Sequence, residues 1–596
     1  MPKYRAPLDD MKYLLHRVFN VGSFFPTLNM PQELEPDLVD AILHEVARMA
    51  EEVLAPLNQS GDSSGCRFES GRVLTPEGFK QAYDSFADGG WCGFTGAPDY
   101  GGQGMPKLLS VCLEEMLFAA NSSFALYPLL TSGAALAIQA HGNPSLQASY
   151  LGSLYSGKFT GTMCLTEPQS GSDLGLLKTR AIPRQDDTYS IEGTKIFITG
   201  GEHDLTENII HLVLARLPDS PAGVKGISMF LVPRQLLNEN GTSGANNQVK
   251  CGSIEQKMGI KASATCVMNF EGSIGYLVGE PNQGLACMFT MMNYERLTMG
   301  SQGIGLSQYA YQVARDYALE RRQGRSPIID NSGSEDASLL ADHPDIRRML
   351  LTLRGNLMAG RALTFYTAMK LDVCKFSDDR DAIESATVLV DLLTPVVKAY
   401  CTDRGFEDCV SAQQVLGGYG YIKDWGLEQC VRDARIAQIY EGTNGIQALD
   451  LLGRKVVRNQ GSSIRILVTE IEEFAARCKS HESLYRKASV LKRSTDELMS
   501  LTQHLVKLAR SEPAAVGVAA VSYLNLLGTV TYGYMWLQIL ANANFDEEQI
   551  NGENYLEGIR TAGEYYFDRM LSQVRFWTDT ALAGLGPLLA MKSNQL

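Results

Sequence analysis

A mostly helical protein with one β domain in the middle of the chain is the fold class this sequence predicts. Three observations lead to it. Apolar residues recur at three- and four-residue steps through the first part of the chain; short alternating runs replace them from about 158 to 278; helical spacing then returns and holds to the end. At 596 residues and 65.3 kDa, the chain exceeds what one core organises, and several domains are expected.

The elements follow in order. Residues 1–34 read as an N-terminal extension. Residues 35–157 form a helical domain, carried by LVDAILHEVARMAEEVLAP and LLSVCLEEMLFAANSSFALYPLLTSGAALAIQAHG. Residues 158–278 form the β domain, with strands expected in KFTGTMCLT, TYSIEGTKIFITG, NIIHLVLARL, GISMFLVPR and TCVMNFEG, between Gly, Pro and Asn/Asp turns. Residues 279–459 make a second helical domain, interrupted by a polar, exposed connection from Ser326 to Asp342. Residues 460–596 are a further helical block. Its most apolar part, Ala514 to Ala541, is broken by Gly517, Asn525, Gly528 and several hydroxyl residues, and reads as a buried helix pair.

Composition excludes several functions. A formal charge of −14 and a pI near 5.2, with no Lys/Arg stripe, give no footprint for nucleic acid. No stretch reaches about 18 consecutive apolar residues, so no membrane span is expected. The opening MPKYRAPLDDMKYLLHRVFNVG lacks the pattern of a secretory signal. Twelve cysteines without a CxxC pair suit reduced thiols in the cytoplasm, and His203, His211 and His343 are too scattered to nominate a metal.

Two segments could carry chemistry. In CLTEPQSGSDLGLLKTRA, Pro168, Gly171 and Gly175 bracket small donors, so backbone N–H groups could approach an anionic or carbonyl-rich ligand; an ordinary inter-strand loop is the plainer reading. In IEGTKIFITGG, Phe197 and Thr199 fall on one strand face, one to stack on a flat heteroaromatic ligand and one to hydrogen-bond it, unless they only pack. A third segment, RDARIAQIYEGTNGIQALD, places Glu441 before a Gly-Thr-Asn turn. Thr443 or Asn444 there can cap the next helix, with Glu441 a solvated loop charge.

These segments, with KMGIKAS, NYERLTMG, YALERRQGR and QQVLGGYGY in the same order, resemble the acyl-CoA dehydrogenase family over about residues 35–458. The resemblance implies that family's fold, a helical domain, a β-barrel or sandwich and a helical bundle, with FAD as cofactor and an acyl-CoA as substrate. Glu441 then matches the family's catalytic base, taking the α-proton while the β-hydride passes to flavin N5. Some subgroups carry the base on a different helix. Desolvation in a dry acyl pocket would raise the carboxyl's pKa and suit it to that task. The thioester oxygen would be held by the backbone N–H of Glu441 and a ribityl hydroxyl, with Gly442 allowing close approach.

By the same resemblance Met163, Leu165 and Thr166 meet the flavin's pyrimidine side. Ser172 lies at the flavin and CoA entrance, Phe197 beside the isoalloxazine and Thr199 near N5. Arg296 is near the base. Arg321, Gln414, Gly417 and Gly418 hold the adenosine diphosphate across a subunit interface, and Thr443 contacts the phosphates. Two departures touch these contacts: Gln323-Gly324-Arg325 stands where Phe-Gly usually follows the arginine, and Gly445 where a polar residue is common. The tail beyond Asn459, the opening YRAPLDDMKYLL and HPDIRRML resemble a longer bacterial subgroup that includes 3-methylmercaptopropionyl-CoA and long-chain acyl-CoA dehydrogenases. A homodimer is expected, with electron-transferring flavoprotein as acceptor. The alternatives are an acyl-CoA oxidase and a non-catalytic acyl-CoA-binding or scaffold protein.

Overall fold

In a computed structural model the protein is described over residues 2–328, 337–545 and 553–595. It divides into two compact units, one of Met30–Gln32 and Glu45–Thr298, the other of Met1–Asn29, Glu33–His44 and Met299–Leu596.

Short helical segments at Leu8–Lys12, Tyr13–Val18 and Val21–Phe24 precede helix α1 (Pro36–Arg48), and α2 (Phe79–Asp88) comes later. Helix α3 (Lys107–His141) is bent at Asn121, whose φ of −161° and ψ of 89° leave the helical region. Its amide there bonds to the carbonyl of Leu54 and accepts from the N–H of Phe124, which satisfies groups the kink would orphan. Helix α4 (Pro144–Tyr155) is capped by Asn143, which accepts from the N–H of Leu146 at 2.9 Å. A small hairpin of Arg67–Glu69 and Arg72–Leu74 interrupts this otherwise helical region.

The β domain is a seven-stranded sheet of β1 (Phe159–Cys164), β2 (Arg180–Pro183), β3 (Tyr189–Thr199), β4 (Asn208–Arg216), β5 (Ile227–Pro233), β6 (Val249–Ile254) and β7 (Thr265–Val278). The path runs β6-β7-β3-β2-β4-β1, and β5 pairs with both β7 and β4, closing a ring of strands. All five predicted runs are strands. Strands β2 and β6 were not foreseen: the first has only four residues, and the second carries Gly252 at a bulge between Cys251 and Ser253, which breaks the alternation. The NIIHLVLAR run is buried along nearly its whole length. Ile210, Leu212 and Leu214 share a core with Ala134, Ile138, Leu151 and Leu154 of α3 and α4 and with Met288 and Met291.

Helix α5 (Gly284–Glu320) follows. The second unit is built on α6 (Pro344–Phe376) and α7 (Arg380–Val415), packed along each other, with the shorter α8 (Leu427–Arg435) and α9 (Asn444–Leu449) against α7. Beyond them lie α10 (Ser462–Cys478), α11 (Glu482–Ser511), α12 (Ala514–Phe545), α13 (Glu553–Tyr565) and α14 (Gln573–Leu582). The expected connection from Ser326 to Asp342 lies partly outside the described residues. Its described ends are tied together by a bridge between Arg322 and Leu339 and a bond from Ser326 Oγ to the carbonyl of Asp342.

Two expectations need correction. The apolar stretch from Ala514 is one helix, not a pair. Its hydroxyl and amide side chains bond back to their own helix, Asn525 to Val521 and Thr529 to Asn525, so they do not break it. Gly528 is needed there because a Cβ would strike the ring of Tyr400 on α7. The second correction concerns membranes: Lys107–His141 and Ala514–Ala543 are long and apolar enough to cross one, although neither contains an unbroken apolar run. Most of each apolar window is buried inside the protein, and that burial accounts for their composition.

Candidate active site

In the first unit, the loop after β1 is organised by Glu167. Its carboxylate accepts from the N–H groups of Lys178 and Thr179 at 2.7 and 3.0 Å, from Thr179 Oγ1 at 2.5 Å and from Lys195 Nζ at 2.8 Å. Burial opposes its charge, but Lys195 and these donors outweigh burial and hold the carboxyl down at about 2. Lys195, fully buried on β3, also donates to the carbonyl of Leu165 at 3.0 Å. The N–H of Ile196 bonds to the carbonyl of Thr166 at 2.9 Å, and Thr162 Oγ1 to the carbonyl of Thr199 at 2.5 Å. These bonds bring Met163, Leu165 and Thr166 beside Phe197 and Thr199. Neither Glu167 nor Lys195 was singled out from the sequence, although a lysine in the middle of an apolar strand was a signal that a buried anion faced it.

The strand is not regular at Phe197. Pairing with β7 shifts between Cys266 and Met268, so Phe197 sits on a bulge at φ 59°, its ring 60% exposed. Ile198 is buried and Thr199 is not, so Phe197 and Thr199 flank an inward side chain. The regular pairing behind the expected shared face is thus interrupted at Phe197 by a bulge. Ser172 is exposed in the loop, between Ser170, whose hydroxyl bonds to the carbonyl of Asp173 at 2.7 Å, and Asp173, which caps the next turn.

Arg296 lies in the same unit, 8% exposed, with Nη1 3.1 Å from Asn293 Oδ1 and its guanidinium over Phe289. The adjoining Tyr294 is clamped from α3. Lys107 Nζ sits 3.4 Å from its ring centroid and bonds to Glu114 at 2.5 Å, the lysine and the glutamate both nearly inaccessible to water.

In the second unit, Glu441 stands at φ 56° and Gly442 at φ 81°. A non-glycine residue in that region costs about 1–2 kcal/mol, so something must hold it. Lys398, fully buried on α7, donates to the carbonyl of Gly442 and to Asn444 Oδ1, both at 2.8 Å. The Asn444 amide reaches Asp403 at 2.7 Å and Thr402 Oγ1 at 2.9 Å, Gln447 Nε2 reaches the carbonyl of Glu441 at 3.2 Å, and Tyr440 Oη bonds to Gln302 at 2.6 Å. Thr443 caps α9, accepting from the N–H of Ile446 at 3.3 Å. The turn expected at 443–444 is therefore present, and the glutamate before it is a strained, braced residue. Lys398 was not foreseen, because nothing local in KAY marks a lysine that braces a distant loop.

Arg321 ends α5. One turn earlier Tyr317 packs against Tyr419 and Trp425, with ring centroids 6.2 and 5.0 Å apart, which sets the arginine near the QQVLGG turn. Gln414, Gly417 and Gly418 are exposed there; Gly417 has φ 58°, and at both glycines a Cβ would meet open space. Bare backbone of this kind suits close approach by a phosphate-bearing ligand such as FAD.

Four family models cover most of the chain: acyl-CoA dehydrogenase N-terminal domain over 37–158, middle domain over 162–273, C-terminal domain over 282–456, and acetyl-CoA dehydrogenase C-terminal like over 467–592. The chain belongs to the acyl-CoA dehydrogenase family. It is a flavin-dependent CH–CH oxidoreductase acting on acyl-CoA thioesters, and it carries the extra C-terminal helical domain. It is 42% identical, over 89% of its length and 90% of the relative's, to the 3-methylmercaptopropionyl-CoA dehydrogenase of Ruegeria pomeroyi. It is 32% identical, over 90% of both chains, to the broad-specificity linear acyl-CoA dehydrogenase FadE5 of Mycobacterium tuberculosis. Among solved structures, an acyl-CoA dehydrogenase of Bacillus anthracis complexed with FAD has the same fold, with TM-score 0.75, 18% identity, and coverage of 96% of this chain and 91% of that one.

Proposed function

We propose that this acyl-CoA dehydrogenase removes the α-proton of its substrate with Glu441 and forms the trans-2-enoyl-CoA. The bracing of Glu441 carries this reading. The backbone of Glu441 and Gly442, held at positive φ by Gln447 and Lys398 with Asn444 beside them, fixes the direction in which the glutamate side chain leaves the chain, as the placing of a base in a concerted elimination requires. The α C–H bond breaks with its proton going to Glu441, and the β C–H bond breaks as hydride. Bound FAD supplies the hydride acceptor at N5.

The residues proposed to hold FAD are Met163, Leu165, Thr166, Ser172, Phe197, Thr199 and Thr443, with Arg321, Gln414, Gly417 and Gly418 of a second copy in a homodimer. Exposed Phe197 and the bare glycines support this reading. Ser172, Arg296, Glu441 and Gly442 are proposed to hold the acyl-CoA. The proposed substrate is 3-methylmercaptopropionyl-CoA or a fatty acyl-CoA, supported by the names of the two relatives. The proposed electron acceptor is electron-transferring flavoprotein, and the compartment is the cytoplasm, whose reducing conditions suit twelve unpaired thiols.

An anaerobic flavin-bleaching titration tests the reading. Wild type should bleach with a subset of 3-methylmercaptopropionyl-, short-, medium- and long-chain acyl-CoAs and recolour slowly in air. Rapid recolouring with peroxide would indicate an oxidase. Glu441→Gln should keep flavin and acyl-CoA binding but lose turnover by about 10²–10⁴-fold, the usual worth of a general base; undiminished turnover would refute the assignment.

A further inference from the structure

A cleft of about 650 Å³ opens in the unit that carries the β domain, lined by none of the residues assigned above. It lies between the C-terminal end of α3, the first turns of α4, the start of β3 and the end of β7. Three tyrosines line it: Tyr150, Tyr189 and Tyr276. Tyr150 is only 3% exposed, and among the described residues none of the three hydroxyls has a hydrogen-bond partner. The Tyr150 oxygen is not among the inaccessible unpartnered atoms, so this otherwise buried phenol opens its hydroxyl to the cleft, where water or a ligand can complete it.

The charge of the lining has one sign. Asp187 and Glu280 stand at the cleft, and neither has an ion-pair partner among the described residues. Among the described residues the lining contains no lysine or arginine. His141, the remaining titratable group, has its Nε2 2.7 Å from Thr290 Oγ1, and partial burial pushes it below its ordinary value, so it stays neutral near pH 7. Aromatic faces, acceptor oxygens and uncompensated carboxylates in one concavity form an environment that attracts cations and repels anions, including the phosphates of CoA and FAD.

We propose that this cleft binds an alkylammonium group, stacked on the tyrosine rings, hydrogen-bonded by Tyr150 and neutralised by Asp187 and Glu280. The site is separate from the dehydrogenation chemistry and does not depend on the role given to Glu441.

Isothermal titration of the flavin-loaded enzyme tests this. Spermidine represents a free polyamine and Nα-acetyl-lysine amide a lysyl side chain; sodium propionate is the anionic control. Saturable binding of an amine is expected, weakening about tenfold in Tyr150→Phe and in the Asp187→Asn/Glu280→Gln double variant, the scale of one cation–π or charge contact. Acyl-CoA bleaching should be unchanged in both. Tighter binding of spermidine would assign the site to free polyamines, and tighter binding of the lysine derivative to a protein side chain. Absence of saturable amine binding, affinity undiminished in both variants, or propionate binding as tightly as the amines would overturn the proposal.

Discussion

Glu441 and Glu167 are both glutamates in family motifs, yet their surroundings give them different work. Glu167 is saturated by donors and paired with Lys195, so its proton leaves far below neutral pH and it serves to fasten the loop after β1 to β3. Lys195→Met would leave that carboxylate with its neutral donors but without its buried cation. It should destabilise the protein by about 3–5 kcal/mol and release FAD, measured as the unfolding midpoint and the flavin-to-protein absorbance ratio. Lys398→Met should act differently. With the cation gone, the 441–444 loop loses its brace, and turnover should fall by more than acyl-CoA binding, since the geometry of the base is disturbed before the pocket is. A loss confined to binding would place Lys398 outside the catalytic machinery.

At the scale of elements, helix α12 shows how a sequence pattern misleads. Glycine, asparagine and threonine inside an apolar stretch are usual signs of interruption. Here each has a tertiary or intrahelical reason: Gly528 admits the ring of Tyr400, and Asn525 and Thr529 bond to carbonyls one turn back. Gly528→Ala should therefore destabilise the protein by about 1–3 kcal/mol through overpacking, although alanine is the better helix former; a gain in stability by denaturant titration would refute the close contact. The helical periodicity and five strands were legible because amphipathic spacing is local. Strands β2 and β6 were not, because a four-residue strand and a bulged one acquire their identity from the neighbours they pair with. The same holds for Phe197, whose chemistry was readable from its motif but whose exposed, positive-φ placement comes from the bulge opposite Val267.

At the scale of the molecule, two sets of buried groups set the response to pH, with opposite signs. Burial, with Arg234 nearby, holds His203 and His211 down at about 3. The unfolded chain protonates them near their ordinary value, so their contribution to stability is complete above about pH 6.5 and is lost as pH falls towards 3. Asp408 is pushed up to about 7 by burial, against hydrogen bonds at 2.8 Å from both Asn356 and Ser307. The folded state keeps that proton where the unfolded chain has released it, so stability falls as pH rises from about 4 through 7. Chemical denaturation across pH 4–8 should show Asp408→Asn flattening the loss on the neutral side and leaving the acid limb in place; an unchanged neutral limb would contradict the shift.

Asp10 supplies a further whole-molecule test. Its carboxylate bonds to Arg354 at 2.5 and 2.7 Å, to Arg361 at 3.1 Å and to Tyr555 at 2.8 Å, joining the first turns of the chain to α6 and α13. Asp10→Ala leaves two buried guanidinium groups without their anion and should cost about 3–5 kcal/mol, read from the unfolding midpoint.

The sequence by itself determined the order of helix, sheet and helix, the family, the flavin-dependent chemistry and the position of a carboxylate before a capped turn. These depend on local spacing and on motifs whose residues are close together in the chain. Only the tertiary structure decided that Glu441 sits at positive φ under Lys398, that Glu167 is neutralised by Lys195 and that the apolar Ala514 segment is one buried helix. Each of those facts requires a partner from a distant part of the chain, and the energy of burying a charge or a bare helix face is set by that partner, which no local pattern contains.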